Sequence, residues 1–378
     1  MSPFKQITDA VVNSADYEEK VNLTHYLCSV LEKAKKPVGA EDEKHLKSFA
    51  FAEMQKLLSV IPAAENYKEK DCLFAYEDGL LGVFTLSGKS MENVSPEQVE
   101  TIKRLVTLVD GERVLENAIE ETFKSAKIEK NDIEKVLDIV RPITDEYRRG
   151  LLYQGLNAHK GELNKFTAEA KESLAEYTAG DMQRLLSGED YPDKMKSLEF
   201  AADVCKHYAD GRILDALGKA MALKRDNVRY YAAETLLACG REIPAEAVRE
   251  MAGNLEYAEL LYGLLQKHGK AALFPAEYSS PEYLAKSDLA HWLTYPTELG
   301  RLPDEIELLG VAKVKSETFH IFKYKSNSGT LSEDLQGQWL IGWSGDEGGT
   351  FSNFDKLSDF EKKKPEKTLK NIVKKLLK

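Results

Sequence analysis

The hydrophobic pattern of this chain changes period once, near residue 275, and that change limits the fold more than any other feature. Upstream, apolar residues recur three and four apart between short turn signals, the spacing that gives a helix one buried stripe. Downstream, apolar and aromatic residues alternate with period two. Residues 305–315 (EIELLGVAKVK), 317–325 (ETFHIFKYK) and 338–344 (QWLIGWS) are rich in β-branched and aromatic side chains and are expected to form strands. In the second, Phe319 and Ile321 oppose His320, Phe322 and Tyr324. In the third, Trp339, Ile341 and Trp343 share a face. Such a small antiparallel sheet is marginal unless something covers it. Two segments are available as cover: Pro281 to Trp292, and the C-terminal stretch in which Leu369, Ile372, Val373, Leu376 and Leu377 lie opposite the lysines. The expected fold is mainly α, with residues 1–275 forming a helical domain. Residues 276–378 form a small α+β domain with an antiparallel sheet, ending in a basic amphipathic helix.

Individual helices carry start and stop signals. Ser95-Pro-Glu-Gln98 combines a serine N-cap with proline at the first helical position, ahead of the stripe Val99, Ile102, Val106 and Val109. Asn131-Asp-Ile-Glu134 repeats the logic for Ile133, Val136, Leu137 and Val140. Asp226 can cap a third helix with the stripe Val228, Tyr231, Ala232, Leu236 and Cys239, and Gly240 offers a left-handed stop.

Residues 211–269 read as two successive helical hairpins, ending at Gly240 and Gly269 and followed by Pro244 and Pro275. This stretch resembles HEAT-type α-solenoid repeats, most closely in DNVRYYAAETLLACG, which looks like the second helix of such a repeat. The resemblance is good over this stretch and diffuse upstream. It implies stacked hairpins, because one hairpin alone buries too little apolar surface. The competing architecture is a non-repetitive helical domain.

Composition narrows the functional classes. No uninterrupted apolar run reaches membrane-spanning length, and the N-terminal residues lack a signal-peptide pattern, so the chain reads as cytoplasmic without stable membrane association. Cys28, Cys72, Cys205 and Cys239 are far apart with no C-x-x-C pair, which disfavours a structural zinc site and a disulfide framework and suggests buried thiols. The net charge is −11, yet residues 362–378 carry eight lysines and one glutamate, net +7, leaving −18 on the remainder. A body so acidic repels phosphate backbones, so no nucleic acid is expected and a basic or neutral protein partner is favoured. The lysine-rich tail either docks its apolar stripe on the sheet or seeks an anionic surface; docking is the expectation.

The densest motif is Trp339 to Phe354, WLIGWSGDEGGTFSNF. Gly342-Trp-Ser-Gly-Asp346 imitates a nucleophile elbow, but Asp346 stands where the turn calls for glycine. Asp346 and Glu347 lack the alternating carboxylates of a calcium loop, and no lysine completes a phosphate-binding loop. His291, His320, Ser344 and Asp346 supply a serine, histidine and aspartate inventory without a defining spacing. No catalytic residue, metal or cofactor follows from these patterns. Trp339 and Trp343 are expected in the core, the alternative being an exposed aromatic platform helped by Phe351 and Phe354.

The resulting expectation is a non-enzymatic scaffold whose acidic solenoid surface grips a protein, with Trp292, Tyr295, Trp339, Trp343, Asp346 and Glu347 as candidate binding residues. The alternative is an enzyme or small-ligand binder using the junction of helices and sheet, lined by these residues apart from Trp343. The HEAT resemblance also admits DNA-repair glycosylases, against which the charge argues.

Overall fold

The computed structural model describes residues 2–34, 38–64, 67–87, 112–143, 146–189, 191–314, 316–346, 349–361 and 365–376, together with Ser95, Glu97, Glu100, Thr101 and Arg104. The chain is mainly helical, with a small α+β region built on a four-stranded antiparallel sheet near its C-terminus. It packs as two compact units, Met1–Lys219 and Ala220–Lys378. This division lies upstream of the expected boundary at 275: Ala245–Gly253 packs on Ala258–Lys267, that helix on Pro281–Leu293, and Pro281–Leu293 on the sheet. The first repeat-like hairpin, residues 211–240, straddles it.

The first unit contains α1 (Pro3–Asn13), α2 (Tyr17–Glu32), α3 (Ala40–Val60), α4 (Tyr67–Leu86), α5 (Glu112–Lys124), α6 (Lys130–Val140), α7 (Glu146–Ala158), α8 (Ala168–Leu185) and α9 (Pro192–Val204). α10 (Gly211–Ala220) closes it. Helices two apart in the chain pack together: α2 on α4, α5 on α7, α6 on α8 and α7 on α9. The stripe expected on α6 is buried as read, at Ile133, Val136, Leu137 and Val140. Its cap sits two residues earlier than expected, where Glu129 and Asp132 form a reciprocal capping box. The helix expected from Ser95 to Val109 lies largely outside the described residues.

Two buried ionic clusters tie this unit together. Glu53 on α3 accepts from Lys20 on α2 at 3.0 Å and from Tyr76 on α4 at 2.8 Å. Asp181 on α8 accepts from Arg149 at 2.7 Å, Arg184 at 2.9 Å and Tyr153 at 2.8 Å. Burial without such partners would be costly for either carboxylate.

The second unit begins with the end of α10 and continues through α11 (Asp226–Ala238), α12 (Ala245–Gly253), α13 (Ala258–Lys267) and α14 (Pro281–Leu293). α11 and α13 end as expected: Gly240 and Gly269 adopt φ of +71° and +66°. The amides after them reach back to Leu236 and Leu265, each at 2.8 Å. This left-handed geometry satisfies the last helical carbonyls and suits glycine. Asp226 heads α11, but its carboxylate bonds Asn254 at 2.7 Å and Arg229 at 3.3 Å.

Strands β1 (Glu305–Val314), β2 (Glu317–Lys325) and β3 (Leu340–Gly345) fall where the alternation places them, in sheet order β1-β2-β3-β4. β4 (Phe351–Lys356) corrects the reading of GGTFSNF as a turn: Phe351 pairs with Trp343 and Ser352 with Gly342. Both expected covers are present. α14 lays Leu289 and Leu293 on the face carrying Phe322, Tyr324 and Leu340. α15 (Pro365–Leu376) lays Ile372, Leu369 and Val373 on the face carrying Phe319, Ile321, Ile341 and Trp343. Lys367, Lys370, Lys374 and Lys375 remain exposed on α15, so the basic segment docks by its apolar stripe.

Candidate functional site

The two sheet faces separate the candidate residues. Trp343 is 5 % exposed and belongs to the core under α15. Trp339 is half-buried on the same face, with Lys323 and Lys325 over its ring at 4.2 and 5.1 Å. It is a capped ring, and not an open platform. Trp292 lies on α14, packed against the opposite core, and Tyr295 just beyond that helix is 50 % exposed. Phe351 on the edge strand stands 5.5 Å from both Trp292 and Trp343. Asp346 is exposed, and its amide donates to the Thr318 carbonyl at 3.1 Å. Glu347 lies outside the described residues.

Ser344 is no activated nucleophile. Its hydroxyl donates directly to Asp288 Oδ2 at 2.7 Å, and Thr350 donates to the same oxygen. A hydrolytic serine needs an imidazole as proton acceptor, oriented in turn by a carboxylate. Here the carboxylate occupies the imidazole's place. His320 pairs with Ser344 across β2 and β3, yet no hydrogen bond joins their side chains: the Ser344 hydroxyl is on Asp288 and the His320 Nδ1 takes no partner among the described residues. His291 Nε2 lies 3.4 Å from the Tyr295 hydroxyl instead.

Tyr295 and His291 end a longer run of rings that sequence reasoning missed. Tyr230 and Tyr231 on α11 touch edge to face at 5.4 Å; Tyr230 and Tyr257 are 6.4 Å apart, as are Tyr257 and His291; His291 and Tyr295 are 5.4 Å apart. All five are half-buried or exposed. Local hydrogen bonds fix their supports. Asn254 donates to Asp226 and accepts from the Glu256 amide at 3.0 Å, forming the turn that presents Glu256 and Tyr257. The Glu259 amide donates at 2.9 Å to Ser287, a fully buried residue, and thereby anchors the start of α13 to α14. Asp288, His291 and Tyr295 then follow at helical spacing.

The strip is acidic. Glu256, Glu259 and Asp288 join no ion pair among the described residues. Burial, followed by the charge of Asp288, raises the Glu259 carboxyl above its usual 4.5; burial and Asp226 do the same to Glu256. Burial also lowers the His291 imidazole below its usual 6.5, against the pull of Asp288 and the Glu256 carbonyl. The folded state thus binds these carboxylic protons more tightly than the unfolded chain does. The associated stability is fully present below 4.5 and is lost as pH rises through the elevated values. Glu259→Gln is therefore expected to raise the thermal midpoint at neutral pH, with the gain vanishing below 4.5. Paired melts of the variant and the parent across that range check it; a gain that persists in acid would contradict the sign.

A concavity of about 590 Å³ lies in the first unit, lined by Asp16, Tyr17, Glu18, Lys68, Glu69 and Cys72 among others. Its polar side chains include both charges and converge on no reaction. Among the described residues no group of histidine, cysteine, aspartate and glutamate is arranged to hold a metal ion, and no helix is long and apolar enough to cross a membrane. No family model, curated protein or solved structure matches this chain.

Proposed function

We propose that the protein is a non-enzymatic binding or scaffold protein that engages a basic protein segment along the acidic aromatic strip of its second unit. One observation carries this reading: five consecutive rings from α11, the turn before α13, and α14 with its C-terminal extension run beside the carboxylates of Glu256, Glu259 and Asp288, which no lysine or arginine among the described residues neutralises. Aromatic faces attract cations through their quadrupole, and tyrosine is a frequent anchor of protein interfaces. Desolvated carboxylates supply the complementary charge and steer a basic partner. Helices packed two apart in the first unit fit a scaffold of layered hairpins, the arrangement that the HEAT resemblance implies.

A lysine- and arginine-rich peptide, titrated into the full chain, tests the reading. Binding is expected to weaken steeply with salt. Tyr257→Ala is expected to reduce affinity about tenfold, the loss of one interface anchor. Affinity indifferent to both salt and Tyr257→Ala would remove the strip as the binding surface.

A further inference from the structure

The α14 end of the strip holds unmet acceptors from three elements. On α13, Glu259 has a half-buried carboxylate with no protein donor among the described residues. On α14, Asp288 spends Oδ2 on the hydroxyls of Ser344 and Thr350, and Oδ1 takes no hydrogen bond from the described residues. On β2, His320 is 7 % exposed, and its Nδ1 is buried without a partner among the described residues. Strand alternation turns His320 toward the α14 side of the sheet, together with Phe322 and Tyr324. It stands directly across from Ser344, whose hydroxyl is on Asp288. A buried polar atom left unpaired in a native fold calls for an explanation, and a bound group is one.

Resting on the reading above, we infer that Glu259, Asp288 and His320 form a seat for one guanidinium group, of the kind an arginine side chain carries. The unmet groups are acceptors: two carboxylates and, in the Nε2–H tautomer, an imidazole lone pair. They require a ligand that only donates. A bare metal ion would need closer convergence than these residues show. A guanidinium offers five N–H donors in a rigid plane and stacks on aromatic rings, whereas an ammonium offers three from a point. Tyr257 and His291, inclined at 60° to one another, supply the aromatic side of the seat. The elevated Glu259 carboxyl is what a site lacking its cation displays.

The test is an NMR titration of the full chain with acetyl-arginine-amide, acetyl-lysine-amide and the basic peptide, following the His320 ring nitrogens and the backbone. The arginine compound is expected to shift the His320 signals and to bind more tightly than the lysine compound. Glu259→Gln is expected to weaken it roughly tenfold, the worth of one charge-assisted contact, with the fold intact. If the peptide binds through Tyr257 but the arginine compound leaves His320 unmoved, the seat is refuted and the strip stands. If neither binds, both readings fall. Equal affinity for the parent and Glu259→Gln, or preference for the lysine compound, also overturns the seat.

Discussion

Glu53→Gln is expected to destabilise the first unit by about 3–5 kcal/mol, the cost of removing one partner from a buried ion pair. The side chain of Glu53 is 2 % exposed and that of Lys20 is 8 % exposed. Glutamine keeps the shape of the glutamate but leaves the Lys20 ammonium buried without a counter-charge. It also weakens the bond that Tyr76, itself fully buried, donates to this carboxylate. Because Lys20, Glu53 and Tyr76 come from α2, α3 and α4, the loss falls on the junction of three helices. Urea unfolding followed by far-UV circular dichroism is expected to show a midpoint lower by about 1 M or more. The paired change Lys20→Met with Glu53→Met is expected to recover part of the loss, because no isolated charge remains buried. Acid dependence gives a second reading. Burial pushes the Glu53 carboxyl up, but hydrogen bonds from Lys56, Tyr76 and Lys20 bring it below its usual 4.5. Its contribution is therefore present above 4.5 and lost as pH falls through the depressed value, and Glu53→Gln is expected to flatten that limb.

The legible parts of the fold are those where one residue's type and spacing determine its surroundings. β2 alternates without interruption, so its two faces could be assigned before any partner was known, and the structure places Phe319 and Ile321 under α15 and Phe322 and Tyr324 under α14. Gly240 and Gly269 mark helix ends because their left-handed backbone excludes most alternatives. β4 was illegible: Phe351-Ser-Asn-Phe354 carries turn-forming residues and becomes a strand through its pairing with β3. Phe354 itself sits at φ 56°, a conformation that sequence gives no reason to assign to phenylalanine. The compositional shift near residue 275 and the packing division at Ala220 do not coincide, and α14 belongs by packing to both the helices before it and the sheet after it.

The strip was harder to read than the fold. Its rings come from residues 230 to 295, and only the folded chain sets Tyr257 beside both Tyr230 and His291. Tyr231 was visible as part of an apolar stripe, whereas Tyr230, its neighbour, points about a quarter-turn away and carries the contact onward. By residue type alone Asp288 is an ordinary polar position of a covering helix. Its role depends on Ser344 and Thr350, more than fifty residues later. The signal that was available lies in Asn254-Leu-Glu-Tyr257, where an asparagine turn precedes an acid, an aromatic and a helix start. Conversely, the tryptophans drew notice because they are rare, and two of them are occupied in covering the sheet's far face.

Ile372→Ala is expected to cost the second unit about 2–5 kcal/mol, while Lys374→Ala, two residues on, is expected to change stability by less than about 0.5 kcal/mol. The contrast follows from how α15 meets the sheet. Ile372 is 1 % exposed and packs in the core containing Phe319, Ile321, Ile341 and Trp343, so truncation leaves a cavity against strands that cannot collapse freely. Lys374 is exposed and its ammonium stays in water. All three tryptophans, Trp292, Trp339 and Trp343, belong to this unit, so tryptophan emission follows its unfolding. Trp343 is a buried member of the affected core and Trp339 packs against it, so both report the change. If the basic segment served chiefly to meet an anionic surface, the lysines would carry its function and Ile372 would be dispensable to the isolated fold. Equal urea midpoints for Ile372→Ala and the parent chain would support that outcome. A large loss at Ile372 with none at Lys374 places the stabilising energy of α15 in its apolar stripe, because that stripe closes a sheet face which would otherwise expose aromatic and branched side chains to water.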